Sequence, residues 1–128
     1  MARFSLTRWW RLWRAGPWHV ALVVSEADQI PDALGAYEAV LVRSAAAPKW
    51  LAFDCPCGRG HRLMLNLDQA RWPRWNVSAE APLSLWPSVD TDADGHRCHY
   101  VIHYGHVGWV REDAALRRDR YHLHGGRR

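Results

Sequence analysis

Asp54-Cys55-Pro56-Cys57-Gly58-Arg59-Gly60-His61 sets two thiols one residue apart, then two glycines and a histidine. The remaining cysteine, Cys98, lies far down the chain, directly before His99. Thiolate and imidazole are the ligands that a tetrahedral zinc ion prefers. Cys55, Cys57, His61 and Cys98 make one full set, and the spacing predicts a structural zinc. Pro56 stiffens the step between the thiols, and the glycines let the backbone turn tightly around an ion. The competing reading is a pair of reduced thiols in a turn, with Cys98 buried elsewhere. A Cys55–Cys57 disulfide is disfavoured because so short a loop strains the bond. Three cysteines leave one unpaired, which argues against a secreted disulfide framework and for a reducing, cytoplasmic home.

Working outward, Trp50 to Phe53 reads as a strand entering this knuckle and His61 to Leu67 as a strand leaving it, a hairpin that a metal can clamp. His19 to Ser25 is a β-branched apolar run and reads as a buried strand, and Ala39 to Arg43 as another. Ile30-Pro31-Asp32 marks a turn or a short helix start. Pro73 limits the aromatic stretch Arg71 to Ser78 to an edge or a strand start, and Pro82 to Val89 follows it. Cys98 to His103 alternates, Tyr104-Gly105 turns, and His106 to Val110 returns, giving a second hairpin. Asp90, Asp92 and Asp94 alternate as in a calcium loop, but the closing Glu is missing, so Asp90 to Gly95 reads as an exposed turn. Arg111 to Tyr121 has helical spacing, with acids early and arginines late. The expected fold is therefore mainly β: a small antiparallel sheet or half-barrel with a zinc knuckle and a short C-terminal helix.

At 128 residues and 48% hydrophobic, the chain has the size and apolar content of one domain. Its net charge of +4 sits at the ends: residues 1–14 hold Arg3, Arg8, Arg11 and Arg14 and no acid, while residues 15–110 are net negative. Three segments are expected. Residues 1–18 form a basic segment rich in tryptophan (Trp9, Trp10, Trp13, Trp18), residues 19–110 a zinc-braced β domain, and residues 111–128 a basic helix and tail. The N-terminal indoles pack on the body or form a docking surface, since Trp and Arg are enriched at binding hot spots; a membrane-surface helix is a third, weaker reading, because the segment is short and Gly16-Pro17 ends it. No run of about eighteen apolar residues occurs, which excludes a membrane-spanning helix. No nucleic-acid recognition motif accompanies the basic ends, so they are read as solvated surface rather than as a nucleic-acid site.

Several stretches coincide in one further pattern: Ile30-Pro31-Asp32-Ala33-Leu34, then Cys55-Pro56-Cys57-Gly58-Arg59-Gly60-His61, then Trp86-Pro87-Ser88-Val89, then Cys98-His99-Tyr100-Val101-Ile102-His103-Tyr104-Gly105-His106-Val107-Gly108-Trp109. Over roughly residues 30–110 this resembles a small zinc-binding family of bacteria, long known only as a domain of unknown function. It is encoded in bacterial ubiquitin-like conjugation operons (Bub or multiubiquitin-type), beside E1-like, E2-like and ubiquitin-like proteins. The family pattern usually reads Cys-x-Cys-Gly-Cys-Gly. Here Arg59 stands where the third cysteine would be, and His61 is the substitute ligand.

The resemblance implies a serine peptidase with a Ser-His dyad that processes or deconjugates a ubiquitin-like protein. Ser88 would be the nucleophile and His99 the base. The ubiquitin-like protein is then the expected partner, with the E1-like and E2-like proteins of the operon beside it. A serine hydroxyl needs a base within hydrogen-bond reach, and histidine suits that role near neutral pH. Successive strand residues face opposite sides, so Cys98 could face the metal while His99 faces Ser88. Asp54 and Asp90 are candidates for an orienting carboxylate, and His103 and His106 compete as base. Trp72, Trp75 and Trp86 either line a substrate groove or pack in the core. The alternative is a noncatalytic zinc-binding module that holds a protein partner on the same surface. A catalytic zinc with an open coordination position ranks last, because four protein ligands leave none.

Overall fold

A computed structural model describes residues 17–110. The expected C-terminal helix, the terminal segments and the indoles at 9, 10 and 13 lie outside these residues. The described chain is mainly β, and its strands form two four-stranded sheets that do not close into a barrel.

The first sheet holds β1 (His19–Val24), β2 (Glu38–Arg43), β3 (Pro48–Asp54) and β4 (Arg62–Asn66), in that order. β2, β3 and β4 are antiparallel neighbours, while β1 runs parallel to β2. An antiparallel sheet was expected throughout. The parallel pair arises because residues 25–37 form a long crossover, with a 3-10 turn at Ala27–Gln29, in place of a tight hairpin. β1 is also not buried. It is the sheet's edge, with Leu22 and Val23 41% and 50% exposed. Its apolar run reflects strand-forming residues rather than cover on both faces.

The second sheet is a meander of β5 (Asn76–Glu80), β6 (Leu83–Ala93), β7 (His96–His103) and β8 (His106–Trp109). Here Asp90 to Ala93, expected in a turn, continue β6 and pair with His96 to His99, so only Asp94 and Gly95 turn the chain. The sheets share one apolar core. Leu41, Leu51, Phe53, Leu63 and Leu65 come from the first, and Leu83, Leu85, Val89, Tyr100 and Ile102 from the second.

Trp18 joins the sheets. Its ring packs edge-on against Phe53, its N–H donates to the Gly105 carbonyl at 2.8 Å, and its carbonyl accepts from Leu83 N–H at 2.9 Å. Gly105 has φ +81°, and a Cβ there would collide with Pro17 and Pro82. That turn therefore requires glycine.

Candidate functional site

The knuckle lies where β3 passes into β4. Cys55 N–H donates to the His61 carbonyl at 2.9 Å and closes the loop, and Gly58 N–H donates to the Cys55 carbonyl at 3.2 Å inside it. Gly58 and Gly60 take φ of +81° and +84°, which lets the chain curl around a point. Cys98 approaches that point from β7. The ligand atoms of Cys55, Cys57, His61 and Cys98 all lie within 4.8 Å of one another and could hold a metal ion. A tetrahedral ion with bonds near 2.3 Å keeps its ligands about 3.5–3.8 Å apart. The set could hold such an ion after small shifts in both directions: the widest pair would close by up to about 1 Å, and Cys57 Sγ and His61 Nε2, at 3.2 Å, would open slightly. His61, and not Arg59, reaches the cluster. Arg59 instead directs its guanidinium to His96 Nε2 at 2.9 Å.

The thiols differ in their electrostatics. Burial first, then the neighbouring Cys57 and Cys55 thiols, pushes Cys98 up to about 12. At Cys57 burial also acts upward, but the Arg59 amide at 3.3 Å and the adjacent thiols outweigh it and hold the group below its ordinary value. A dication in the cluster would draw all three thiols to thiolate. Tyr100, fully buried, sets its hydroxyl 3.5 Å from Cys55 Sγ, and burial raises its ionisation well above the ordinary phenol value.

Ser88 sits in an interruption of the second sheet. The β6–β7 register passes from Leu85↔Ile102 to Val89↔Tyr100, so Trp86, Pro87 and Ser88 oppose Val101 alone. A bulge of this kind re-aims a side chain, and Pro87, with no N–H, is tolerated there. Beyond it Asp90 faces His99, Thr91 faces Cys98, and alternation resumes. Cys98 and Tyr100 therefore share the core face with Val89, and His99 points the other way, onto the face of Ser88. Ser88 Oγ lies 3.1 Å from His99 Nε2, with the hydroxyl as donor when Nε2 carries no proton. His99 is 7% exposed, so its ring is held in place by packing.

The structure thus brings the two residues of the expected pair together and the four of the expected metal set together. It does not make His103 or His106 a rival base. They pair with each other across the β7–β8 turn and are exposed. The two candidate carboxylates each hold an arginine. Asp54 binds Arg62 at 2.7 Å. Asp90 is gripped by Arg97 through Nε at 2.9 Å and Nη2 at 2.7 Å, and that fork holds its carboxyl below the usual range. Of the three tryptophans, Trp72 and Trp86 are 76% and 71% exposed. Trp75 packs against the core and donates its indole N–H to the Ser88 carbonyl at 3.2 Å. The Trp75, Arg97 and Tyr100 contacts depend on long-range register and escape sequence reasoning. Only the alternation of Cys98 and His99 could point toward them.

A family model described as bacterial ubiquitination-like system serine protease (BubE) matches residues 26–110. No curated protein and no solved structure matches the chain.

Proposed function

The chain belongs to the bacterial ubiquitination-like system serine protease family, and on that footing we propose that it is a Ser88–His99 dyad peptidase, braced by structural zinc, that processes or deconjugates a ubiquitin-like protein. The observation that carries the reading is the 3.1 Å approach of Ser88 Oγ to His99 Nε2 across a bulge that sets the serine apart from the regular ladder.

In the proposed reaction Ser88 Oγ attacks the carbonyl carbon at the end of the substrate tail, and its proton passes to His99 Nε2. The scissile C–N bond breaks, His99 returns the proton to the leaving nitrogen, and an acyl ester remains on Ser88. Water then attacks the ester, its proton going to His99 and on to Oγ. Zinc held by Cys55, Cys57, His61 and Cys98 would supply bracing alone. Cys98 fixes β7 from its core face, and His99, the next residue, is thereby held opposite the hydroxyl. A reducing, cytoplasmic compartment suits three metal-binding thiols. Among the described residues no helix is long and apolar enough to cross a membrane. The ubiquitin-like protein, with the E1-like and E2-like proteins of the same system, is the proposed set of partners.

The test is incubation with the ubiquitin-like protein of the same operon, carrying a C-terminal extension. Release of the extension by the native chain, and none by Ser88→Ala at unchanged zinc content, supports the reading. Stoichiometric capture without release, equal in both proteins, would leave a noncatalytic zinc-binding module.

A further inference from the structure

The Ser88 peptide lies outside both regular ladders. Pairing with β5 begins at Asn76↔Trp86 and runs away from Ser88, and pairing with β7 is interrupted between Leu85 and Val89. A carbonyl at such an interruption is not positioned by the regular register alone. Here the Trp75 indole N–H donates to it at 3.2 Å. We infer that Trp75 is a positioning residue for the nucleophile, and that it carries stiffness from the first sheet into the bulge. The inference rests on the reading of Ser88 as nucleophile.

Trp75 is itself held from the end of β4. Its N–H donates to the Asn66 carbonyl at 2.8 Å. The Asn66 side-chain amide donates to the carbonyls of Asp68, Arg71 and Pro73 at 3.0, 3.1 and 3.0 Å. Gln69 Nε2 donates to the carbonyls of Leu67 and Trp75 at 3.0 and 2.9 Å. The segment from residue 67 to 75 is therefore laced by its own side chains into one piece, and the indole is its contact with the reacting residue. A donor on the Ser88 carbonyl fixes the peptide plane leaving that residue, and so the Cα from which Oγ is aimed. Misplacement of a nucleophile by a fraction of an ångström lowers the reaction rate more than it lowers binding.

The probe is a fluorophosphonate, which needs no knowledge of the natural substrate. Oγ attacks phosphorus, fluoride leaves, and the hydroxyl proton passes to His99. Saturation kinetics separate the binding constant KI from the rate kinact. Trp75→Phe keeps an aromatic ring in the core and removes the N–H. It is expected to lower kinact about tenfold, with KI, zinc content and Tm close to native. Gln69→Leu, an exposed substitution that leaves the indole in place, is expected to lower kinact about threefold, and it decides the matter where Trp75→Phe does not fold. Native kinact in the folded variants overturns the inference, as does a change in KI alone, which would make Trp75 a contact for the ligand. Failure of the native chain to label at Ser88 is a different result, and it removes the dyad itself.

Discussion

β7 presents two faces that ask different things of their side chains. On the inner face Cys98, Tyr100 and Ile102 are 2%, 0% and 1% exposed and join the Cys–His cluster, which could hold a metal, and the core. On the outer face Arg97, Val101 and His103 are exposed, and His99 is the buried exception. A change on the inner face removes contacts that hold both sheets, so it is felt as stability. On the proposed reading, a change at His99 removes the proton acceptor of the Ser88 hydroxyl, so it should be felt as rate. One strand would then separate support from chemistry by the period-2 alternation of its residues.

The sharpest way to break that contrast is Ser88→Ala. It is expected to lower turnover by about three to four orders of magnitude, as removal of a nucleophile does elsewhere, with Tm unchanged to within a degree or two. A large fall in Tm would mean that the outer face is structural after all. Next in size is Cys98→Ser. The loss of one thiolate ligand from a buried cluster is expected to release the metal and cost on the order of 3 kcal/mol, or about 15 °C in Tm. Metal content and the thermal midpoint check it. A chelator should reproduce the same loss in the native chain and reverse on adding zinc. Tyr100→Phe tests the same face more gently. It leaves the ring in the core and removes the hydroxyl near Cys55, and it should cost about 1 kcal/mol by urea midpoint with turnover within about twofold of native. A tenfold rate loss there would show the two faces to be coupled through more than the backbone of Cys98 and His99.

The sequence reveals these features unequally, for physical reasons. The Cys–His cluster is legible because thiol and imidazole are rare donors, and the four residues singled out are the four that come together. The strands around it are legible too: short apolar runs bounded by Gly58-Arg59-Gly60 or Tyr104-Gly105 leave little choice of structure. The opposite orientation of Cys98 and His99 follows from alternation alone. Three features lie beyond such rules. An apolar run does not say how many of its faces are covered, so His19 to Ser25 reads as buried and its strand proves to be an edge. Asp90 to Ala93 look like a turn because acids repel. The cross-strand fork from Arg97 neutralises Asp90 and lets the strand continue. The bulge at Trp86 to Ser88, and with it the indole of Trp75 on the Ser88 carbonyl, depends on where two distant strands slip past one another. No local pattern encodes that slip.

The smallest expected effect belongs to Asp90, and it bears on whether the outer face holds a dyad or a triad. Asp90 stands directly across from His99 in the ladder, yet its two oxygens are taken by Arg97. If Asp90 does not orient the imidazole, Asp90→Asn should leave turnover within about threefold of native. A loss near that of Ser88→Ala would make it a third catalytic member. Its contribution to stability has a definite sign. The Arg97 fork holds the folded carboxyl below its unfolded value. The pair's stabilisation is therefore fully present above the unfolded carboxylate range, near pH 4, and fades as pH falls through the lower folded value. Both side chains are nearly half exposed, so solvent screening limits the effect to about 0.5 kcal/mol. The measurement is the difference in urea midpoint between the native chain and Asp90→Asn, followed from pH 6 downward. Loss of metal in acid lowers both proteins alike and cancels. The remaining gap should close below about pH 4. A gap that persists unchanged into acid would show that Asp90 acts by packing rather than by charge.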